Sequence, residues 1–506
     1  MHPLLAAAYP AVFLFAINAA EQTTLDPLWR PLLLSVLGAA TVLAVLWVVL
    51  GDAHRAGLLT TVAVIGFFGY GHFWNAFGGL VGSQPPVAIA WGVLVLIGLA
   101  LAWRSGRVAV PATRALNVVA VIAVVMNLTG IAGVVTAYGA DDAPAEELSA
   151  LELAPPDAND LPDVYYIVLD RYAGSTALSE TYGFDNEPFL TALEERGFRV
   201  ARQAHANYIK TPLSLASVLN LDFVDAEALE AEATDGKDRG PIHRVLGERL
   251  AVPAALKELG YRYVHLGNWW TPTADNVDAD RVFVYDGQDE FTSVFLQSTL
   301  LRALSTDAAP TDPWDWPALR EHTRYQLRTL DSITGMPGPK YVFAHLLVPH
   351  PPYVIDADGS AMDREQVADQ GDAVSYLRYL RYGNERMLAT VDRILAESGD
   401  DAVIVIQADE GPFPARYEDG EWGFQWRDAT DEELEEKFGI LFAMRVPGAD
   451  LDAAGFTDDI TSVNTFRVVF NARFGTDLPM LPNRTWAHEN LSNFYDFFEI
   501  TDRLVR

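Results

Sequence analysis

The sequence predicts two unlike parts in one chain: an α-helical membrane domain of five spans, and an α/β domain with a mostly parallel sheet. Half of the 506 residues are hydrophobic, yet the formal net charge is −32. These two properties lie in different places, because only three of the 68 acidic residues fall within residues 1–138. Beyond residue 163, short β-branched runs alternate with longer helical stretches, a pattern typical of α/β domains.

Five apolar stretches predict the membrane spans. Each has about 17–25 residues, the length that a bilayer core requires of a helix. They are Pro3–Ala20, Leu32–Leu50, Gly57–Val81, Pro86–Trp103 and Ala115–Tyr138. A bundle of buried soluble helices is the alternative, and five such runs within 138 residues disfavour it. The first stretch could also be a signal-like segment, although no convincing cleavage site follows it.

Arginine placement predicts the orientation in the cell membrane. The connection after the second stretch carries Arg55, and the connection after the fourth carries Arg104, Arg107 and Arg114. Because basic connections face the cytoplasm, we expect a multi-pass protein whose chain after Tyr138 lies outside the cytoplasm. One span more or fewer would reverse this orientation.

Composition sets further limits. Residues 139–162 are rich in Ala, Pro, Asp and Glu and predict a solvated linker, so the outer domain spans 163–506. The absence of cysteine excludes disulfides, thiolate metal sites and a cysteine nucleophile. The acidic balance argues against a nucleic-acid partner, since phosphate backbones bind Lys and Arg.

Three apolar strands of the outer domain lead to polar groups. Val164–Leu169 precedes Asp170, Tyr341–Val348 precedes His350, and Ala402–Gln407 precedes Asp409 and Glu410. Ligands of open α/β sheets bind beyond the carboxyl ends of the strands. A single acid at such a position is more often a helix cap or a turn residue. The prediction of a ligand site therefore depends on all three strand ends together.

Thr211-Pro212 predicts the start of a helix, with Thr211 as the N-cap and Pro212 as the first helical residue. The simple interpretation is that Thr211 is a cap. The functional interpretation uses the same geometry, because a helix N-terminus favours anions and offers free N–H groups to a phosphate.

The order of these motifs resembles a known family. The segments are NYIKTPLSLASVL (207–219), FAHLLVPHPPYVID (343–356), VIVIQADEGP (403–412) and SVNTFRVVFNARFGTDLPMLPNRTW (462–486). They resemble the sulfatase-fold families of the alkaline-phosphatase superfamily, most closely the lipoteichoic acid synthases and related membrane-anchored phosphotransferases. Those proteins are also similar to this chain in having five spans before an outer catalytic domain.

The resemblance implies the roles of individual residues. Asp170, Thr211, Asp409 and Glu410 would bind one divalent metal ion, and Thr211 would also be the nucleophile that forms a phospho-threonine. His350 would contact the substrate phosphate or assist the leaving group; the alternative is a histidine held in a proline-rich turn.

Four further residues are weaker candidates for substrate binding. His265, Asn268 and Trp269 match a stretch that lines the substrate site in such synthases, although a strand end with interfacial tryptophans is an equal alternative. Lys210 could balance phosphate charge, and Arg171 could do the same. We expect His345, inside its strand, to be structural.

Two departures from the family pattern affect the chemistry. Glu410 stands where the family usually has His, so an all-oxygen site would favour Mn²⁺, Mg²⁺ or Ca²⁺ over Zn²⁺. The formylglycine signature of true sulfatases is absent, because Thr211 is followed by Pro-Leu-Ser.

The resulting hypothesis is a metal-dependent phosphotransferase of the cell envelope. It would move a phospho-alcohol group from a membrane phospholipid through Thr211 to a glycan or lipid acceptor. The alternatives are a sulfatase-like or phosphodiesterase hydrolase of the same fold, and a non-catalytic membrane-anchored binding protein.

Overall fold

The protein is described from a computed structural model, which covers residues 1–19, 25–140, 153, 161–248, 250–285, 290–304, 316–418, 420 and 423–504. The chain divides into two compact units. Unit 1 consists of residues 1–141 and 287–318, and unit 2 of residues 142–286 and 319–506. Most of the predicted linker 139–162 lies outside the described residues.

Unit 1 is helical throughout its described residues. Its helices before the linker are α1 His2–Ile17, α2 Asp26–Leu50, α3 Ala53–Phe68, α4 Tyr70–Val81, α5 Gln84–Trp103 and α6 Ala109–Ala140, with a 3₁₀ turn at Gly106–Val108. Large apolar side chains on α2, α5 and α6 are exposed, as expected of helices that face lipid.

The prediction of five spans is not confirmed. Within the described residues, three helices are long and apolar enough to cross a membrane, namely 27–50, 84–103 and 106–131. The stretch predicted as the third span forms two helices, α3 and α4, which are bent by 46° and count as a fourth span only if they cross together. The first stretch forms α1, an apolar helix of only 16 residues. A bilayer core needs about 20 helical residues, so the parity on which the predicted orientation rests is not established.

A later segment of the chain also belongs to unit 1. It contains a helix at Glu290–Gln297 and a 3₁₀ helix at Leu300–Leu304. Phe291 and Phe295 of this segment pack in one apolar cluster with Phe15 of α1 and Leu28 of α2. The boundary at residue 138 therefore leaves out a part of the first unit that lies far along the sequence.

Unit 2 is built on a seven-stranded sheet. Its strands are β1 Val164–Leu169, β2 Arg199–Val200, β3 Arg262–Leu266, β4 Arg281–Phe283, β5 Lys340–Leu346, β6 Val403–Gln407 and β7 Phe442–Arg445. The spatial order is β2-β7-β6-β1-β5-β3-β4. The strands from β6 to β4 pair in parallel, and β7 is antiparallel to both of its neighbours. The prediction of an α/β domain with a mostly parallel sheet is thus confirmed.

The central strands are buried along their whole length and are mostly apolar because both faces of the sheet are covered. Every residue of β1, β5 and β6 is buried. Strands of a parallel sheet that are packed on both faces show this continuous apolar pattern rather than alternation.

The helices of unit 2 surround this sheet. They are Ser175–Glu180, Glu187–Glu194, Thr211–Asn220, Ala226–Glu232, Gly240–Gly247, Ala251–Glu258, Trp316–Ile333 (which begins at the boundary with unit 1), Arg364–Gln370, Asp372–Glu397, Ala415–Glu418, Asp431–Phe438 and Thr465–Arg473. Short 3₁₀ helices lie at Thr271–Thr273, Trp426–Asp428, Ser462–Asn464 and Thr501–Arg503. A two-stranded antiparallel sheet pairs Trp486–His488 with Phe497–Glu499.

Candidate active site

Three neighbouring strands bring Asp170, His345 and Asp409 together. Strand β1 lies between β5 and β6, and all three run in the same direction. His345 is opposite Val168 in the β1–β5 register, and Asp170 and Asp409 follow the ends of β1 and β6. One ligand atom from each of the three residues lies within 4.8 Å of the others. All three side chains are buried.

The two carboxyl groups of this cluster are held in opposite electrostatic states. Burial would raise the pKa of Asp170, but its interactions with His350, with His345 and with the Arg171 guanidinium outweigh burial and lower that pKa below its usual range. Burial and the neighbouring carboxylates Asp170 and Glu410 raise the pKa of Asp409 well above its usual range. Negative charge is therefore crowded at Asp409, which a bound cation would relieve.

Thr211 lies beside this cluster at the start of its helix. The helix is Thr211–Asn220 and its N-cap is Lys210, so Thr211 is the first helical residue and not the cap that we predicted. The Thr211 side chain lies near the carboxyl group of Asp409, where it favours the ionised form and so offsets part of the rise in the pKa of Asp409. At this helix start Pro212 has no N–H, and the N–H groups of Leu213 and Ser214 donate to the Lys210 carbonyl, so the helix dipole and the neighbouring cationic side chains are what favour an anion here.

Glu410 forms an ion pair in place of a contact with the cluster. Its Oε1 lies 2.8 Å from Lys437 Nζ and 3.5 Å from Arg171 Nε. Lys437 is fully buried and its ammonium also donates to the Gly411 carbonyl at 2.9 Å. Among the described residues, the cluster that could hold a metal contains Asp170, His345 and Asp409 and does not include Glu410. The metal role of Glu410 therefore stays a prediction, and the geometry supplies a different partner for its charge.

Three cations surround one aromatic ring next to the cluster. Lys437 Nζ lies 3.4 Å, Lys210 Nζ 4.1 Å and Arg171 Cζ 4.6 Å from the centre of the Phe413 ring. Arg171 takes φ of 60°, a left-handed conformation that is uncommon for residues other than glycine. Burial lowers the pKa of Lys210 to about 7 and that of Lys437 to about 8. The aromatic face stabilises the charged forms of these neighbouring cations and so partly offsets the loss of charge that burial favours beside Thr211.

A layer of hydrogen bonds orients His345. The backbone N–H of Trp270 donates to Asn268 Oδ1 at 2.8 Å, so the Asn268 amide directs its NH₂ group at His345 Nδ1, 2.9 Å away. The Thr273 hydroxyl also lies 2.9 Å from Nδ1. An accepting Nδ1 leaves the ring proton on Nε2, which faces Asp170 Oδ2 at 3.2 Å. Asn268, predicted to contact substrate, thus contacts His345.

The other predicted substrate contacts lie in two different places. His265 is buried, with Nδ1 2.9 Å from the Tyr263 hydroxyl and Nε2 3.0 Å from the Thr273 carbonyl. Both ring nitrogens are occupied inside the fold, so the expected contact of His265 with substrate has no geometric support. Trp269 is only partly buried, and its ring centre lies 6.4 Å from that of His350.

His350 is a neutral histidine in this structure. Its Nδ1 donates to the carbonyl of Pro351, which leaves Nε2 as the free acceptor. Burial, aided by the charge of Arg171, lowers the pKa of His350 to about 3. A base with so low a pKa accepts protons weakly, so His350 is poorly suited to act as a general base in this state.

The donor set fits a divalent cation. Buried carboxylates rarely remain without a partner, and Asp170 Oδ1 has none among the described residues. Burial and the neighbouring carboxylates raise the pKa of Asp409, which also indicates that nearby cations do not fully balance its negative charge. His345 adds a nitrogen to the possible ligands, so the site is not made of oxygen ligands alone. The predicted preference for Mn²⁺, Mg²⁺ or Ca²⁺ over Zn²⁺, which depended on such a site, therefore no longer follows. If His345 bound the ion through Nε2, its ring proton would lie on Nδ1 instead. The Nδ1–H could then donate a hydrogen bond to the Thr273 hydroxyl, 2.9 Å away.

Sequence reasoning missed several residues near the site and gave His345 a structural role. Phe413 follows Glu410 by three residues and could have been suspected from its position after β6. Lys437 and His488 lie far along the chain without a local signal. Burial lowers the pKa of His488 well below its usual range, and the charge of Lys210 contributes, which places the two residues near each other.

Comparison with known proteins was made by family, by sequence and by structure. No protein-family model matches the chain, and no curated protein matches its sequence. Among solved structures, the chain is similar to the C-terminal periplasmic domain of EptC from Escherichia coli in complex with Zn (TM-score 0.44, 15% identity, 70% of this chain and 98% of that one).

Two other solved structures are similar at the same level. The C-terminal periplasmic domain of the phosphoethanolamine transferase EptC from Campylobacter jejuni has a TM-score of 0.39 and 9% identity, covering 62% of this chain and 91% of that one. The lipoteichoic acid synthase LtaP from Listeria monocytogenes has a TM-score of 0.39 and 13% identity, covering 68% and 83%.

Proposed function

We propose that this chain is a membrane-anchored, metal-dependent phosphotransferase of the alkaline-phosphatase superfamily, with unit 2 outside the cytoplasm and Thr211 as its nucleophile. The observation that carries the proposal is the position of the Thr211 side chain. It lies at a helix N-terminus, near the carboxyl group of Asp409, with Lys210 next to it in the chain and Arg171 on the same aromatic ring as Lys210. A nucleophile, a proton acceptor and anion-binding groups are thereby combined at one strand edge.

The electrostatics suit a phosphate ester. Arg171, Lys210 and Lys437 supply positive charge where the transferred group would carry negative charge, and fixed charges of this kind stabilise a phosphoryl transition state. Asp170, His345 and Asp409 would hold the divalent ion, which when bound lowers the hydroxyl pKa and neutralises phosphate charge. The full burial of the cluster excludes bulk water and strengthens these interactions.

The chain's own groups account for the first chemical step. Thr211 Oγ attacks the phosphorus of a phospholipid, a new O–P bond forms, and the bond to the lipid alcohol breaks. Asp409, near Thr211, is placed to accept the hydroxyl proton when it is ionised and to pass that proton to the departing lipid alkoxide, so that the lipid alcohol leaves neutral. A glycan or lipid hydroxyl then attacks the phospho-threonine and releases Thr211.

Trapping of the intermediate tests the proposal. The full-length chain in detergent is incubated with labelled phospholipid and its peptides are analysed by mass spectrometry. We expect a phospho-alcohol adduct on Thr211, absent from Thr211→Ala, and a loss of turnover of at least about 10³-fold in that variant. Turnover that survives in Thr211→Ala would show the proposal to be wrong.

The same labelled lipid separates transfer from hydrolysis. A transferase accumulates the Thr211 adduct and releases little soluble product until an acceptor is added. A hydrolase releases the phospho-alcohol into water at an unchanged rate without acceptor. Ser214, a buried hydroxyl on the same helix, provides a matched control, because Ser214→Ala removes a hydroxyl that bonds only the Tyr208 carbonyl.

A further inference from the structure

Unit 1 contains an apolar cavity of about 630 Å³ between its helices. Its walls come from α1, α3, α4 and α6, and residues between 294 and 302 line one end of it. Small-molecule sites in proteins have volumes of about 300–1,000 Å³, so the cavity is large enough for part of a lipid. Small residues, including Ala120 and Ala123 of α6, leave this space open.

The cavity follows α1. Its apolar lining on that helix extends from Leu5 to Ile17, and His2 lines it one turn before Leu5. Twelve helical rises span about 18 Å, which compares with about 15 Å for one leaflet of a hydrocarbon core. An extended acyl chain therefore matches the cavity in both length and chemistry.

The two ends of the cavity differ in their polar groups. At one end the His2 ring Nδ1 and the Thr61 hydroxyl are 2.6 Å apart and satisfy each other. At the other end, Arg302 carries the only permanent charge among the described lining residues. Arg302 donates to Asn75 Oδ1 at 3.1 Å, and its guanidinium lies 5.8 Å from the Trp74 ring centre.

The position of Arg302 is held by a close backbone contact. The Gly71 N–H donates to the Ser298 carbonyl at 3.0 Å. A Cβ on Gly71 would lie 2.3 Å from the Gln297 carbonyl oxygen, so only glycine allows this approach. The 290–304 segment is thereby fixed against α4, and the guanidinium of Arg302 stays at the mouth of the cavity.

From this geometry we infer that unit 1 binds one phospholipid, with an acyl chain in the cavity and its phosphate at Arg302. An arginine fork matches phosphate oxygens better than a point charge does. The inference deepens the proposed function, on which it rests for its lipid substrate class, by naming how a phospholipid is held within unit 1.

Photolabelling tests this site in the Thr211→Ala chain, where no covalent transfer can occur. The probe is phosphatidylglycerol with a diazirine near the end of one acyl chain, and the comparison probe is diacylglycerol with the same chains. We expect labelled peptides from α1 and α6, and at least about fivefold less labelling by diacylglycerol, since that factor corresponds to losing one charge-assisted contact.

Two substitutions separate the tail from the head group. Ala123→Phe fills the cavity and should lower labelling by both probes about tenfold, whereas Val118→Phe, on the exposed face of the same helix, should not. Arg302→Gln should reduce labelling by phosphatidylglycerol to the level of diacylglycerol, whereas Arg104→Gln should leave it unchanged. Ala120→Leu, a smaller filler, replaces Ala123→Phe if that variant does not fold.

The results can overturn the inference in two ways. Labelling spread over outer helix faces and insensitive to the filling variants would refute the acyl site. Equal labelling by both probes, unaffected by Arg302→Gln, would refute the phosphate contact. A chain that labels as expected but never forms the Thr211 adduct keeps this site and loses the proposed function. A chain that forms the Thr211 adduct without labelling in the cavity keeps the proposed function and loses this lipid site.

Discussion

Substitution of Lys437 by methionine tests whether the ion pair with Glu410 holds the candidate active site together. The Lys437 ammonium is fully buried, lies 2.8 Å from Glu410 Oε1 and donates to the Gly411 carbonyl at 2.9 Å. At an effective dielectric constant of about 20, two unit charges at this separation attract by about 6 kcal/mol. Desolvation of both groups offsets much of that attraction.

The expected cost follows from what remains after the substitution. Glu410 keeps Arg171, at 3.5 Å, and the more weakly interacting Lys210 as opposing charges, and it stays near the carboxyl group of Asp409, whose pKa it raises. Removing one partner of a buried pair costs about 3–5 kcal/mol, so we expect a loss near the lower value, about 3 kcal/mol, because Arg171 persists.

A double-mutant cycle measures this interaction. Lys437→Met, Glu410→Gln and the double variant are unfolded by denaturant in the full-length chain, with tryptophan fluorescence as the readout. We expect the double variant to recover at least about 2 kcal/mol relative to the sum of the single losses. Lys257→Met is the matched control, since Lys257 pairs with Asp280 at 3.1 Å on a partly exposed surface and should cost about 0–1 kcal/mol.

Two results would refute the reasoning. One is a loss below about 0.5 kcal/mol in Lys437→Met, which is the range of ordinary surface substitutions. The other is strict additivity of the two single variants, which would mean that the charges do not interact.

Three further predictions concern buried polar groups of unit 2. Lys340→Met leaves the Asp163 carboxylate unpaired at the start of the sheet and should cost about 3–5 kcal/mol of unfolding free energy; recovery in a double variant with Asp163→Asn checks it. Burial lowers the pKa of His322 to about 4, so the histidine of the unfolded chain protonates at higher pH than that of the folded chain. The free energy of unfolding should therefore fall by about 3 kcal/mol as the pH drops from about 6.5 to 4. A His322→Gln variant with an unchanged pH profile would contradict this. Asn268→Asp gives the Nδ1–H of His345 an acceptor and should tighten divalent metal binding about tenfold by calorimetry, whereas weaker binding would contradict the tautomer assigned to that ring.

Much of the site was accessible from the sequence because it depends on strand ends. Asp170 and Asp409 each follow an apolar run, and parallel strands place such positions at one edge of a sheet. His345 was predicted to be structural for a related reason: a histidine inside a buried strand usually is, and only its register opposite Val168 reveals that it reaches the same edge. Glu410 follows Asp409 directly, yet its partner Lys437 lies 27 residues further on, in a helix whose burial no local pattern indicates.

In the membrane part, too, some features follow from the local sequence and others from tertiary contacts. Each apolar stretch forms helix, because hydrophobicity and length are local properties that the sequence displays directly. The bend between Phe68 and Tyr70 and the attachment of residues 290–304 to unit 1 depend on close contacts such as that of Gly71 with Ser298.

The sequence by itself determined the two-part architecture, the α/β class of unit 2 and the strand-end acids, since these follow from composition, periodicity and length. Only the tertiary structure decided which charges neighbour Thr211, which histidine joins the carboxylates and where unit 1 leaves a cavity. The physical reason is that pairing of buried charges and close packing depend on distances of a few ångströms between residues that are remote along the chain.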